Sequence, residues 1–146
     1  MIKCILLTSL IALGLLLAPA GAAQVTLGGD ADLTDGASLD GIANSGGDGS
    51  TGSPYLYQFT TDGLDLDVYK VYTTVGVGGY GDSILLNMGG YNIDGTGTTA
   101  ISTDVTADTG AVTIINVGEI DMGGIRTGHV GGSATDSTSG DITIGQ

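Results

Sequence analysis

Apolar residues recur along this chain in short alternating bursts: YLYQF at 55–59, SILLN at 83–87, AVTII at 111–115 and DITI at 141–144. Alternation over so few residues predicts half-buried strands, whereas a helix needs a sustained 3.6-residue apolar spacing that no window after residue 23 provides. The intervening text, such as NSGGDGSTGSP and GGSATDSTSG, carries the glycine, serine and aspartate of turns and loops. The expectation is an all-β chain of strands of roughly 4–6 residues joined by glycine-rich turns.

The bursts keep a register. Gly52, Gly81, Gly110 and Gly140 open them at nearly even steps, and one more step of the same size reaches Ala23, ahead of QVTLGG. Six places after each of the four glycines stands an amide: Gln58, Asn87, Asn116 and Gln146. A second column pairs an apolar residue with aspartate at Leu64-Asp65, Ile93-Asp94 and Ile120-Asp121, on nearly the same step.

Strands that recur at such a period predict a right-handed parallel β-helix, a solenoid of rungs of about 29 residues in which like positions stack at ~4.8 Å. In that fold the four amides form a ladder, each side chain bonding to the one above and below. The glycines would sit where the backbone bends through positive φ. The alternative is a β-sandwich of short strands. The last rung begins at Gly140 and the sequence ends at Gln146, so the expectation is the N-terminal piece of a longer solenoid.

Residues 1–23 read differently. One cation, Lys3, precedes an apolar run from Ile5 to Leu17 and then small residues, the order of a secretory signal peptide. That run falls short of the ~20 residues that span a bilayer. Cys4 precedes the run, which is the wrong side for a lipid anchor. The expected organisation is a signal peptide at 1–23 and one β-solenoid domain at 24–146, secreted or displayed on an outer-membrane surface.

Charge narrows the partners. After residue 23 there are 16 acidic side chains against Lys70 and Arg126, a formal charge of −14. That balance excludes nucleic acid, which needs a basic footprint, and excludes anionic membrane surfaces for the same reason. The natural counter-ions are divalent cations. With no cysteine beyond Cys4, disulfides and thiolate metal sites are excluded.

The phrases GDITI and GAVTIINVGEIDMGG resemble the right-handed β-helix repeats of filamentous-haemagglutinin-like adhesins and autotransporter passengers. The resemblance covers most of the chain after Gly81 and, more loosely, the part before. It implies an exported bacterial surface protein with a structural or adhesive role and no catalytic activity of its own. The competing reading is the non-catalytic N-terminal part of a carbohydrate-active β-helix enzyme.

Candidate chemistry is sparse. Arg126 and His129 stand three apart in GGIRTGHVGG, and the expectation is that both are exposed loop residues. GGYGDS at 78–83 places Asp82 one residue too early for a calcium-binding β-roll nonapeptide, and DADLTDGASLD sets Asp30, Asp32 and Asp35 at EF-hand-like spacing but has Asp35 where that loop needs glycine and no glutamate at its end. The aspartate column follows from the fold. If Leu64, Ile93 and Ile120 point inward, Asp65, Asp94 and Asp121 point outward on one ladder, where calcium would relieve like-charge repulsion. Every tyrosine, with Phe59, lies between 55 and 91. An aromatic strip there would offer a glycan or protein ligand a surface if exposed and would be core if buried. An open solenoid end is the remaining expected contact, through self-association.

Overall fold

The computed structural model describes residues 24–74, 81–96, 101–103, 110–127 and 140–146. The signal-peptide segment, Tyr80 and His129 lie outside these residues. Among the described residues the chain winds through four rungs of three strands. The first rung is β1 (Gln24–Thr26), β2 (Ala31–Asp32) and β3 (Tyr55–Gln58). The second is β4 (Gly63–Asp65), β5 (Val71–Tyr72) and β6 (Ile84–Asn87). The third is β7 (Ile93–Asp94), β8 (Ile101–Thr103) and β9 (Val112–Ile115). The fourth is β10 (Ile120–Asp121), β11 (Ile125–Thr127) and β12 (Ile142–Ile144).

Equivalent strands stack into three sheets of four, in the orders β1-β4-β7-β10, β2-β5-β8-β11 and β3-β6-β9-β12, and every pairing is parallel. This is a parallel β-helix, and the sandwich alternative is set aside. Its interior is built from columns. Val25, Leu64, Ile93 and Ile120 stack in the first sheet and Ala31, Val71, Ile101 and Ile125 in the second. The third sheet contributes two columns, Tyr55–Ile84–Val112–Ile142 and Tyr57–Leu86–Ile114–Ile144. In the two middle rungs all these side chains are fully buried, each worth about 1.5–3 kcal/mol of transfer free energy. On β12, Ile142 and Ile144 are 47% and 53% exposed.

The aromatic segment points inward. Tyr57 and Phe59 are buried and Tyr55 packs against the core, as alternation along YLYQF requires once one of the three is inside.

Three sequence expectations are corrected by the register. Ala23, reached by the even step, lies outside the described residues, and the strand that follows it does not continue the glycine column. β1 pairs with β4 at Val25↔Leu64 and Thr26↔Asp65, so QVT belongs to the aspartate column and not to the glycine column. The first rung is longer because residues 33–54 form an excursion between β2 and β3.

The amide ladder shifts by one residue. Gln58 is opposite Asn87, but Asn87 is opposite Ile115 and not Asn116. An unchanged step would set buried Ile84 against outward Thr113 and invert the strand; hydrophobic alternation forces a step one shorter, pairing Ile84 with Val112. Asn116 is left just past the strand at φ +51°, and its Nδ2 still reaches back to Asn87 Oδ1 at 3.0 Å. Gln146 stands two places past Ile144, as Asn116 stands two past Ile114, its register partner.

The glycines fall into two kinds. Gly52 and Gly81 each stand three places before their strands, Gly110 and Gly140 two. None of Gly52, Gly110 and Gly140 has positive φ, and a Cβ on Gly52 would meet open space. Gly110 and Gly140 are glycine for a different reason. A Cβ on Gly110 would overlap the Asp82 carbonyl, and one on Gly140 the Gly110 carbonyl, because the backbones of neighbouring rungs approach closely there.

Candidate functional site

Two surfaces of the helix carry polar organisation. The first is the outer face of the first sheet. Alternation puts Thr26, Asp65, Asp94 and Asp121 in one outward column, in register across all four rungs. Asp65 and Asp94 are half-buried and Asp121 is exposed. Each inner carboxylate has its own donors. Asp65 Oδ1 accepts the Asp67 N–H at 2.9 Å in the turn that ends β4, and Asp65 Oδ2 accepts Thr26 Oγ1–H at 3.3 Å. Asp94 Oδ2 accepts from Gln24 Nε2, a reach of two rungs across Gly63, which has no side chain to block it.

The aspartates thus form a row. Calcium takes six to eight oxygens gathered around one point. Among the described residues, no three Asp, Glu, His or Cys side chains converge in that way.

The second surface is the corner between the second and third sheets. The other connections between strands are short, from 122–124 up to 95–100. All four connections from the second sheet to the third are longer: 33–54, 73–83, 104–111 and 128–141. A threonine hydroxyl closes the base of three of them. Thr73 donates to the Asp82 carbonyl at 2.9 Å, Thr103 to Gly110 at 2.6 Å and Thr127 to Gly140 at 2.6 Å. Thr73 and Thr103 are fully buried. In the first rung the equivalent place, one past Asp32, is held by buried Leu33.

Sequence reasoning missed this column. Its signature is an apolar residue followed two later by threonine, in VYT, IST and IRT. The step from Thr103 to Thr127 is too short for the even comb that found the other columns. Arg126, expected in a loop, lies half-buried on β11 opposite Ser102.

The excursion 33–54 acts as a cap on the first rung. Leu33 and Leu39 are fully buried beneath it. Asp40 and Gly41, both at positive φ, make the two-residue turn of a miniature hairpin between Leu39 and Ile42. Ser45 N–H donates to the Leu56 carbonyl at 2.8 Å, and Leu56 N–H is shared between the Gly46 carbonyl at 2.9 Å and Asn44 Oδ1 at 3.1 Å, so the cap covers the outer edge of β3. Tyr57 Oη–H donates to the Ala37 carbonyl at 2.7 Å, and burial pushes the phenol pKa up to about 12.

Lys70 and Arg126 both lie on or beside the second sheet. Lys70 pairs with Asp30 at 3.8 Å and lies 4.7 Å from the Tyr72 ring centroid, an exposed pair of small energetic weight. No protein-family model, curated protein or solved structure matches this chain.

Proposed function

We propose that the chain is an exported, surface-displayed structural β-helix that presents binding surfaces to a glycan or protein and catalyses nothing itself. The observation that supports this reading most is the division of labour along each rung. Three sheets stack with short connections and buried columns, while all four long connections leave from one corner, three of them closed at the base by a threonine. Loops held side by side on a rigid body are how binding surfaces are usually built. The charged, apolar and small-residue order of 1–23 supports export. The resemblance of GDITI and GAVTIINVGEIDMGG to adhesin repeats points the same way.

The test has two parts. Expression of the full chain in a Gram-negative host should yield a product outside the cytoplasm whose N-terminus begins between Gly21 and Gln24. That product should bind saturably to members of a glycan or matrix-protein array and leave them intact. Shortening of a polysaccharide on the array would overturn the reading in favour of a carbohydrate-active enzyme.

A further inference from the structure

Asp82 stands where later rungs carry glycine. It stands two places before β6, as Gly110 does before β9 and Gly140 before β12. At those glycines the neighbouring rung leaves no room for a Cβ. Asp82 has room because its neighbour on that side is the cap and not a strand. Gly49 lies there without a side chain, and a Cβ on it would come within 2.7 Å of Asp82 Oδ1.

Asp82 is only 8% exposed, and its Oδ2 accepts the Asp35 N–H of the cap at 2.7 Å. The same stretch holds the body to the cap through its backbone, where Ser83 N–H donates to the Gly49 carbonyl at 2.7 Å. Asp82 therefore sits on the seam between cap and helix.

Among the described residues, the charges facing it are all of one sign or neutral. Asp35 and Asp32 act on it from the cap and the end of β2. Tyr55 and Tyr57 face it from β3, and Asp48 of the cap acts on Tyr55 beside it. Among the described residues, neither Lys70 nor Arg126 is one of the groups that act on it. We infer that Asp82 is a proton-operated clasp between the cap and the helix, holding the cap more tightly in acid than at neutral pH.

Burial raises the Asp82 pKa, the Asp35 N–H pulls it back, and the charges of Asp35 and Asp32 raise it further, with a net upward shift. Opening the cap returns the carboxyl group to water and to its usual value of 3.8. Closing therefore favours the protonated form. The ratio of closed to open cap rises as pH falls through the window between the raised value and 3.8, by at most about tenfold per pH unit, and is flat above it. What the cap shields is the edge of β3, since Ser45 and Gly46 hold both backbone groups of Leu56. A looser cap at neutral pH leaves that edge open to pairing with another strand.

Amide hydrogen exchange on the full chain reads the clasp directly. After correction for intrinsic rates, protection of the Asp35, Ser45, Leu56 and Ser83 amides should rise between about pH 7.5 and about pH 3.8, by no more than about tenfold per pH unit inside the window. Ile93 N–H, bonded to Glu119 in the first sheet, is the internal control and should not follow them. Asp82→Asn keeps an acceptor for Asp35 and should abolish the rise. Equal protection at the two pH values, or a rise that survives in D82N, overturns the inference. If D82N does not fold, the titration of the Asp82 carboxyl carbon in the wild-type chain decides. A midpoint above 3.8 supports the clasp, and one at or below it refutes the clasp.

Discussion

Replacing Thr103 by valine isolates one hydrogen bond in the threonine column. The two side chains have nearly the same shape, so packing changes little. Thr103 is fully buried, and its hydroxyl donates to the Gly110 carbonyl at 2.6 Å. Removing the donor leaves that carbonyl short of a partner in a place water reaches poorly, at a cost of about 1–3 kcal/mol. The added methyl and the strand preference of valine return a few tenths. The expected net loss is about 1–2 kcal/mol, a fall in melting temperature of roughly 4–10 °C for a domain of this length. Thr103→Ser supplies the contrast, because it keeps the hydroxyl and loses only a methyl group, at about 1 kcal/mol or less. Thr127→Val, at the half-buried end of the column, should cost less than Thr103→Val. Urea and thermal unfolding followed by circular dichroism give all three values on one scale. If Thr103→Val is neutral, or milder than Thr103→Ser, the hydroxyl does not close the corner and the account of the loop bases fails.

Alkaline pH should weaken the fold through Tyr57. Its folded pKa of about 12 lies above the unfolded value of 10, so the native chain keeps a proton that the unfolded chain sheds. This contribution is intact below pH 10 and is lost as pH rises toward 12, by up to about 2.7 kcal/mol; Tyr57→Phe should flatten that part of the curve while costing about 1 kcal/mol at neutral pH. Gly110→Ala should destabilise by several kcal/mol or prevent folding, because its Cβ would overlap the Asp82 carbonyl, while Gly52→Ala should stay within about 0.5 kcal/mol of wild type in chemical denaturation. On the acidic face, Asp94→Asn should stabilise slightly by removing the middle charge, and calcium should raise the wild-type melting temperature no more than sodium at equal ionic strength. A calcium-specific rise that the variant loses would restore a metal site at Asp65, Asp94 and Asp121.

The parallel helix was legible in the sequence because the third sheet keeps nearly even time. Tyr55, Ile84, Val112 and Ile142 recur at almost equal intervals, so a single evenly spaced comb finds all four bursts. The same comb erred by one at Asn116, where the count of residues and the alternation of buried side chains disagree. Alternation prevailed, since moving Ile84 and Leu86 to the outer face would expose two fully buried side chains. The second sheet was illegible for the opposite reason. The intervals between Ala31, Val71, Ile101 and Ile125 shrink steadily along the chain, and its strands are only two or three residues long. The cap was hidden because Leu33 and Leu39, its buried anchors, lie singly among polar residues and carry no period.

The acidic ladder raises a question of tolerance that its geometry answers. Carboxylates stacked at rung spacing repel by about 1 kcal/mol per adjacent pair in a water-like dielectric, and a low dielectric would multiply this several times. The ladder is therefore restricted to an outward column, and burial increases only where donors are supplied. Asp65 and Asp94, half-buried, have Asp67 N–H, Thr26 and Gln24 as partners, whereas Asp121 is exposed to water. The first rung does not add a fourth charge. It places Thr26 in the aspartate column and sends Gln24 across Gly63, so that the neutral end of the stack donates to the charged middle. A row arranged in this way satisfies its own oxygens along the stack and leaves a negative face toward solvent. Two such faces repel each other in a water-like dielectric.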